Sequence, residues 1–150
     1  MGKDEWLTPP GIIKSLGDFD TDPCAPVVRP WETARKHYTV LDNGLAQIWT
    51  GRVWLNPPYG SMVWQWLDKL IEHKNGIALI FARTGTSHFH RTVWNKADSL
   101  LFLSGRLHFH HVSGLRAAHN CGADSVLISY DEANTEVLRS CDIPGKFIKL

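Results

Sequence analysis

The chain has 150 residues, 43% of them hydrophobic and 21% charged, with a formal net charge of +1. That is the make-up of an ordinary soluble chain with enough apolar material for one real core, and the charge alone does not announce a nucleic-acid binder. No repeat or low-complexity tract interrupts residues 1–150, which therefore read as a single domain. No signal-like apolar segment opens the chain. The longest apolar run, Ile77 to Ala82, is far too short to span a bilayer, so a cytoplasmic protein with no membrane partner is expected. Cys24, Cys121 and Cys141 are odd in number and widely spaced, which argues against a disulfide framework or a structural zinc site.

Thr8-Pro9-Pro10 predicts a helix start, with Thr8 as N-cap and Pro9 at the first helical position. The short helix carries Ile12, Ile13 and Leu16 and stops near Gly17. Phe19 to Cys24 reads as a strand ending at Pro23. A short helix around Glu32 to Lys36, a strand around Tyr38 to Leu41 and a turn at Asp42-Asn43-Gly44 follow. Arg52 to Leu55 is a short apolar strand running into a double proline.

The clearest helix comes next. Val63, Trp66, Leu67, Leu70 and Ile71 fall on one apolar stripe, with Ser61 as its cap and Asn75-Gly76 as its end. Ile77 to Ala82 is unbroken apolar sequence, as for a strand covered on both faces. A helix around Ser87 to Asn95, strands at Ser99 to Leu103, Arg106 to His110 and Ser125 to Tyr130, a polar helix and a last strand at Lys146 to Leu150 complete the pattern. Strands alternating with helices predict an α/β fold with a mostly parallel sheet, and the late hairpin-like strands predict an antiparallel edge. Ligands of such sheets sit beyond the strand C-terminal ends.

Two polar motifs lie at such ends, Asp22-Pro23-Cys24-Ala25 and Asn56-Pro57-Pro58-Tyr59. Pro57 holds Asn56 extended, and two prolines in succession fix both φ angles and remove two backbone donors. What remains is a stiff tip offering the Asn56 side-chain oxygen and backbone carbonyls as acceptors, with the flat ring of Tyr59 beside them. Such a tip suits an exocyclic amine on a planar ring: acceptors on both amino hydrogens orient the nitrogen toward an electrophile such as a methyl sulfonium. The tyrosine stacks on the base, a contact worth about 1–3 kcal/mol in single-stranded nucleic-acid complexes. An amino group inside a duplex is reached only after the base is flipped out.

These motifs resemble the phage-type DNA N6-adenine methyltransferases, the phage Dam family. The resemblance is carried by Asp4-Glu5-Trp6-x-Thr8-Pro9-Pro10, Asp22-Pro23-Cys24-Ala25, Trp54-Leu55-Asn56-Pro57-Pro58-Tyr59-Gly60, Ala82-Arg83-Thr84-x-Thr86 and Gly105-Arg106-Leu107, in family order over roughly residues 4 to 130. It implies a Rossmann-like methyltransferase fold, S-adenosylmethionine as donor and a flipped adenine in DNA as acceptor. It also implies that Trp6, Thr8 and Pro9 line the cofactor pocket and that Asp22 and Pro23 lie beside the cofactor's methionine part.

From its position alone, Asp22 is either an acceptor for a cofactor ammonium or a turn-capping aspartate. Asp42, twenty residues further on, is either a ribose-binding acid or part of an ordinary turn. The first motif departs from many methyltransferases in having no glycine, and it precedes Asn56 by only 34 residues, which predicts a trimmed fold.

Between Arg83 and His119 lie five basic residues, Arg83, Arg91, Lys96, Arg106 and Arg116, against one acid, Asp98. The stretch reads either as a solvated face or as a surface for DNA phosphate, with Arg83, Thr84, Arg106 and Arg116 as the contact residues. The pairs His88-x-His90 and His108-x-His110 lack a third ligand nearby in sequence, so no metal is expected. Three classes compete: an adenine-N6 methyltransferase, a noncatalytic binding relative and a metal-dependent enzyme, and the intact Asn-Pro-Pro-Tyr favours the first. No separate target-recognition domain fits in this length, so reading falls to loops such as residues 104 to 123, by a poorly specific reader or by a homodimer.

Overall fold

The computed structural model describes residues 7–111, 113–117 and 122–150. Helix α1 (Pro10–Leu16) leads to strands β1 (Thr21–Asp22), β2 (Lys36–His37) and β3 (Val53–Leu55), then helix α2 (Val63–His73) and strand β4 (Gly76–Phe81). The one-turn helix α3 (Ser87–Phe89) widens into a π-turn over His90–Trp94. Strands β5 (Ser99–Leu103) and β6 (Ser125–Ser129), helix α4 (Glu132–Ser140) and strand β7 (Gly145–Lys149) follow.

All seven strands form one sheet in the order β2-β1-β3-β4-β6-β5-β7, a mixed α/β arrangement. The first four run parallel to one another. Antiparallel pairing is not confined to an edge, as the sequence led us to expect. Strand β6 inserts between β4 and β5, opposed to both, and β7 is opposed to β5. The long connection over residues 104–124 lets β6 return into that interior slot. There its five residues are all buried, Val126 to Ile128 as their apolar character requires and Ser129 through hydrogen bonds to Ser99 and Thr135.

Side-chain alternation along the strands gives the sheet two apolar faces. Val53, Leu55, Ala78, Ile80, Leu100, Val126 and Ile128 pack against α2 and the π-turn, through Trp66, Leu67, Leu70, Phe89 and Val93. On the other face Trp54, Ile77, Leu79, Leu101 and Leu127 meet Leu16, Phe19, Phe109 and Leu138. Among the described residues no helix is long and apolar enough to cross a membrane.

Several local expectations give way to specific hydrogen bonds. Thr8 does not cap α1; Pro9 holds that position, Pro10 opens the helix, and the Thr8 side chain turns elsewhere. Ser61 does not cap α2, whose N-cap is Met62, and its last turn closes on left-handed Lys74 rather than on Asn75-Gly76. Residues 32–35 form no helix, because the Thr33 hydroxyl donates to Asp22 and the Thr33 N–H donates to His37 Nε2 at 3.2 Å. The strand expected over 38–41 is replaced by β2 just before it. The Thr39 N–H and hydroxyl both donate to Asp42 and close a turn. Arg106 to His110 alternates in sequence but makes no ladder: His110 forms only isolated bridges, to Leu7 and to Arg116.

Candidate active site

The C-terminal ends of β1, β2 and β3 open onto one rim and enclose a cavity of about 750 Å³. Its walls are Pro23 to Val28 after β1, Thr39 to Leu41 with Asn43 and Gly44 after β2, and Asn56 to Tyr59 after β3; Trp66 of α2 reaches in from below. The size is that of a pocket for a nucleotide-sized molecule. Val40 and Leu41 are 77% and 81% exposed yet line this cavity, beside Val27 and Val28. Apolar side chains left open around a cleft offer flat contact surface to a ligand.

Gly44 sets the width of the cleft. A Cβ there would collide with the carbonyl oxygen of Pro23 and press on the Trp66 ring, so only glycine lets the loop after β2 meet the end of β1. The loop is tied down from α2: Lys69 Nζ donates to the Leu45 and Gln47 carbonyls at 2.8 and 2.6 Å, and Trp49 Nε1 donates to the Gly44 carbonyl at 2.9 Å.

Asn56 stands at the mouth of β3, where the double proline stops the strand. Its Nδ2 donates to the hydroxyl of Thr8, 3.0 Å away and 48 residues distant in sequence. That bond uses one of the two Nδ2 hydrogens and leaves Oδ1 as the acceptor of the amide. Tyr59 lines the same cavity, with one ring face stacked on Phe81 at 4.1 Å and 8° and its flank meeting Phe109 edge-on at 6.1 Å. Gly60, at φ 120°, lets the chain leave this rigid tip and turn toward α2. A fixed amide oxygen, an aromatic plane and an apolar cleft therefore converge on one rim.

The family model for DNA N-6-adenine-methyltransferase (Dam) matches residues 1–139. The chain belongs to that family. No curated protein and no solved structure matches it. Membership in the Dam family supports DNA adenine methyltransferase activity in general, and the remaining residues singled out in the sequence can be placed against that background.

Trp6 lies outside the described residues. Thr8 is buried against Asn56, and neither it nor Pro9 lines the cavity. Pro23 is a wall residue, whereas Asp22 lies behind the wall, 3% exposed, with its oxygens accepting from the Cys24 N–H at 3.1 Å and the Thr33 hydroxyl. Burial pushes its carboxyl up to about 6, against the lowering effect of those bonds and of Arg29. Burial, and then the charge of Asp22, push the Cys24 thiol up as well, so it is not a reactive thiolate. Asp42 is exposed and accepts from Thr39, while its neighbours Leu41 and Asn43 line the cavity.

The basic stretch divides in two. Arg83 and Thr84 are exposed just past β4, and Arg106 and Arg116 are exposed in the connection from β5 to β6, all at the rim that carries Asn56. Lys96 precedes β5 and so sits at the opposite edge of the sheet, and Arg91 is held by both oxygens of Asp68 on α2. Arg106 pairs with Asp124 at 3.3 Å; Arg83 and Arg116 make no ion pair among the described residues. No three His, Cys, Asp or Glu side chains gather as a metal site among the described residues.

Sequence reasoning did not single out Val27, Val28, Val40, Leu41, Gly44 or Trp66 as site residues. Val27 and Val28 carried a usable signal, an apolar pair between Pro26 and Pro30 with no element to bury it.

Proposed function

We propose that this chain, acting as one domain of a trimmed Rossmann-like fold, transfers a methyl group from S-adenosylmethionine to the N6 amino group of adenine in DNA. The observation that carries the proposal is the Asn56 amide at the mouth of the apolar cleft, its nitrogen engaged by Thr8 so that its oxygen is left to accept. Family membership points the same way.

The cleft fits the donor in size and character. Pro23, Val28, Val40, Leu41, Asn43 and Gly44 would hold it, with Asp42 beside the cavity as the acid available to its ribose and Asp22 bracing the wall from behind through Cys24 and Thr33. When bound, S-adenosylmethionine supplies an electrophilic methyl group. The chain's own residues do the rest by placement. Asn56 Oδ1 and the adjoining backbone carbonyls accept the two amino hydrogens of a flipped adenine, which turns the nitrogen lone pair toward the cleft. Tyr59 stacks on the base, Phe81 keeps that ring in its plane, and Pro57-Pro58 prevents the tip from yielding. Arg83, Thr84, Arg106 and Arg116 face DNA phosphate around the rim.

Methylation assays beside cofactor calorimetry test this. Asn56→Ala should abolish or nearly abolish transfer and leave cofactor affinity close to that of the parent. Tyr59→Phe should keep most activity and Tyr59→Ala lose much of it, because stacking needs the ring and not the hydroxyl. A well-folded Asn56→Ala protein that methylates DNA at the normal rate overturns the mechanism, and a parent protein that binds no S-adenosylmethionine with or without DNA overturns the enzymatic reading.

A further inference from the structure

We propose that Thr8 is a positioning residue for the catalytic amide, not a contact to the cofactor; the inference rests on the methyl-transfer reading above. A primary amide has two ends of similar shape and opposite function. If Asn56 turns over about χ2, an NH2 group faces the incoming amine where an acceptor is required. The double proline fixes the backbone at Asn56 but does not choose between the two side-chain orientations. Thr8 chooses. Its hydroxyl accepts from Nδ2 at 3.0 Å and is 2% exposed, so water does not compete for the bond.

The position of Thr8 is itself fixed from both sides. Before it, Leu7 and His110 exchange two backbone hydrogen bonds, at 2.8 and 2.9 Å. After it, Pro9 and Pro10 hold Thr8 extended and open α1. The hydroxyl therefore hangs from a short braced strap. That strap is tied through His110 to the connection between β5 and β6, whose rim arginines are proposed to face DNA. Thr8 also lies outside the cavity lining, which separates its role from that of the walls.

The experiment compares Thr8→Val with Thr8→Ser in steady-state methylation on DNA, with S-adenosylmethionine affinity measured by calorimetry. Valine keeps the shape and removes the acceptor; serine keeps the acceptor. In Thr8→Val, kcat should fall on the order of ten- to a hundredfold, the rate equivalent of one lost orienting hydrogen bond, while KM for DNA and cofactor affinity stay within about twofold. Thr8→Ser should restore most of the rate. Circular dichroism screens folding, and Thr8→Ala replaces the valine variant if that protein does not fold. A folded variant without the hydroxyl that turns over at the parent rate overturns the inference and leaves the methyl-transfer reading standing. Loss of cofactor affinity in the valine variant, recovered with serine, also overturns it and returns Thr8 to the cofactor pocket. Absence of any transfer by the parent protein is the separate failure of the underlying reading.

Discussion

A carboxyl buried behind the wall of a cleft carries a pH dependence with it. In the folded chain Asp22 is held up to about 6 by burial, and in the unfolded chain it ionises near 3.8. Between those values the native state holds the extra proton, so its contribution to stability falls as pH rises from about 4 to about 6 and is level above that. The full span corresponds to about 3 kcal/mol. Asp22→Asn removes the titration while keeping an acceptor for the Cys24 N–H. The melting temperature of the Asn variant, measured against the parent, should therefore gain steadily from pH 4 to pH 6 and stay constant beyond. A difference that is flat across that window shows that the carboxylate is not ionising in a buried place. The same residue shows what a linear sequence conceals. Its two readings, ligand acid and turn cap, differ only in what lies opposite, and Thr33 is eleven residues away. The Asn56 loop was legible because its stiffness is local, set by adjacent prolines. Thr8 as its partner was not, because the bond spans 48 residues.

Among the elements, those with internal cause were readable and those made by a partner were not. The stripe of α2 stands where periodicity put it, and β4 and β6 stand where their apolar runs, Ile77 to Phe81 and Val126 to Ile128, put them, since these side chains demand burial. Strand β2 is two residues, Lys36 exposed and His37 half-buried, and exists because β1 lends it hydrogen bonds. The loop after β2 is the element on which the cleft depends most. It has no apolar pattern of its own and is held by Lys69, Trp49 and the absence of a side chain at Gly44. Gly44→Ala should push this loop off Pro23. Overpacking of this kind typically costs about 1–3 kcal/mol in stability, and the effect should include a drop in S-adenosylmethionine affinity. Calorimetry beside a thermal melt checks both. A variant with unchanged melting and unchanged affinity shows that the loop can give way without moving the wall.

At the scale of the molecule the two edges of the sheet differ: one carries the cavity and Asn56, the other a polar network. The alternating α/β pattern made the general architecture readable, but no local pattern marks the slot that β6 takes between β4 and β5. That insertion decides where the basic residues go. Because β6 runs against β4 and β5, the connection over residues 104–124 starts and ends on the rim that carries Asn56, which brings Arg106, paired with Asp124, close to the end of β4 and ties Arg116 through His110 to Leu7. Lys96, in the same basic stretch of sequence, is left at the far edge. At that far edge Arg52 Nε donates to Asn134 Oδ1 at 2.6 Å, and Asn134 bonds Asn75 and Asp131, a polar knot that ties strand starts to α4.

If the rim faces DNA, each cation that meets a phosphate releases counterions, and the slope of log affinity against log salt counts them at roughly 0.9 per contact on duplex DNA. Arg83→Ala and Arg116→Ala should each weaken binding to all sequences alike and reduce that slope by about one. Arg106→Ala should do less, since Asp124 already holds its guanidinium. Lys96→Ala should change neither affinity nor slope. Titration of labelled duplexes over a range of salt concentrations separates the cases: a Lys96 effect equal to that of Arg83 would mean that the charges act only as a general field, and unchanged slopes in both rim variants would leave the rim solvated and move the DNA elsewhere.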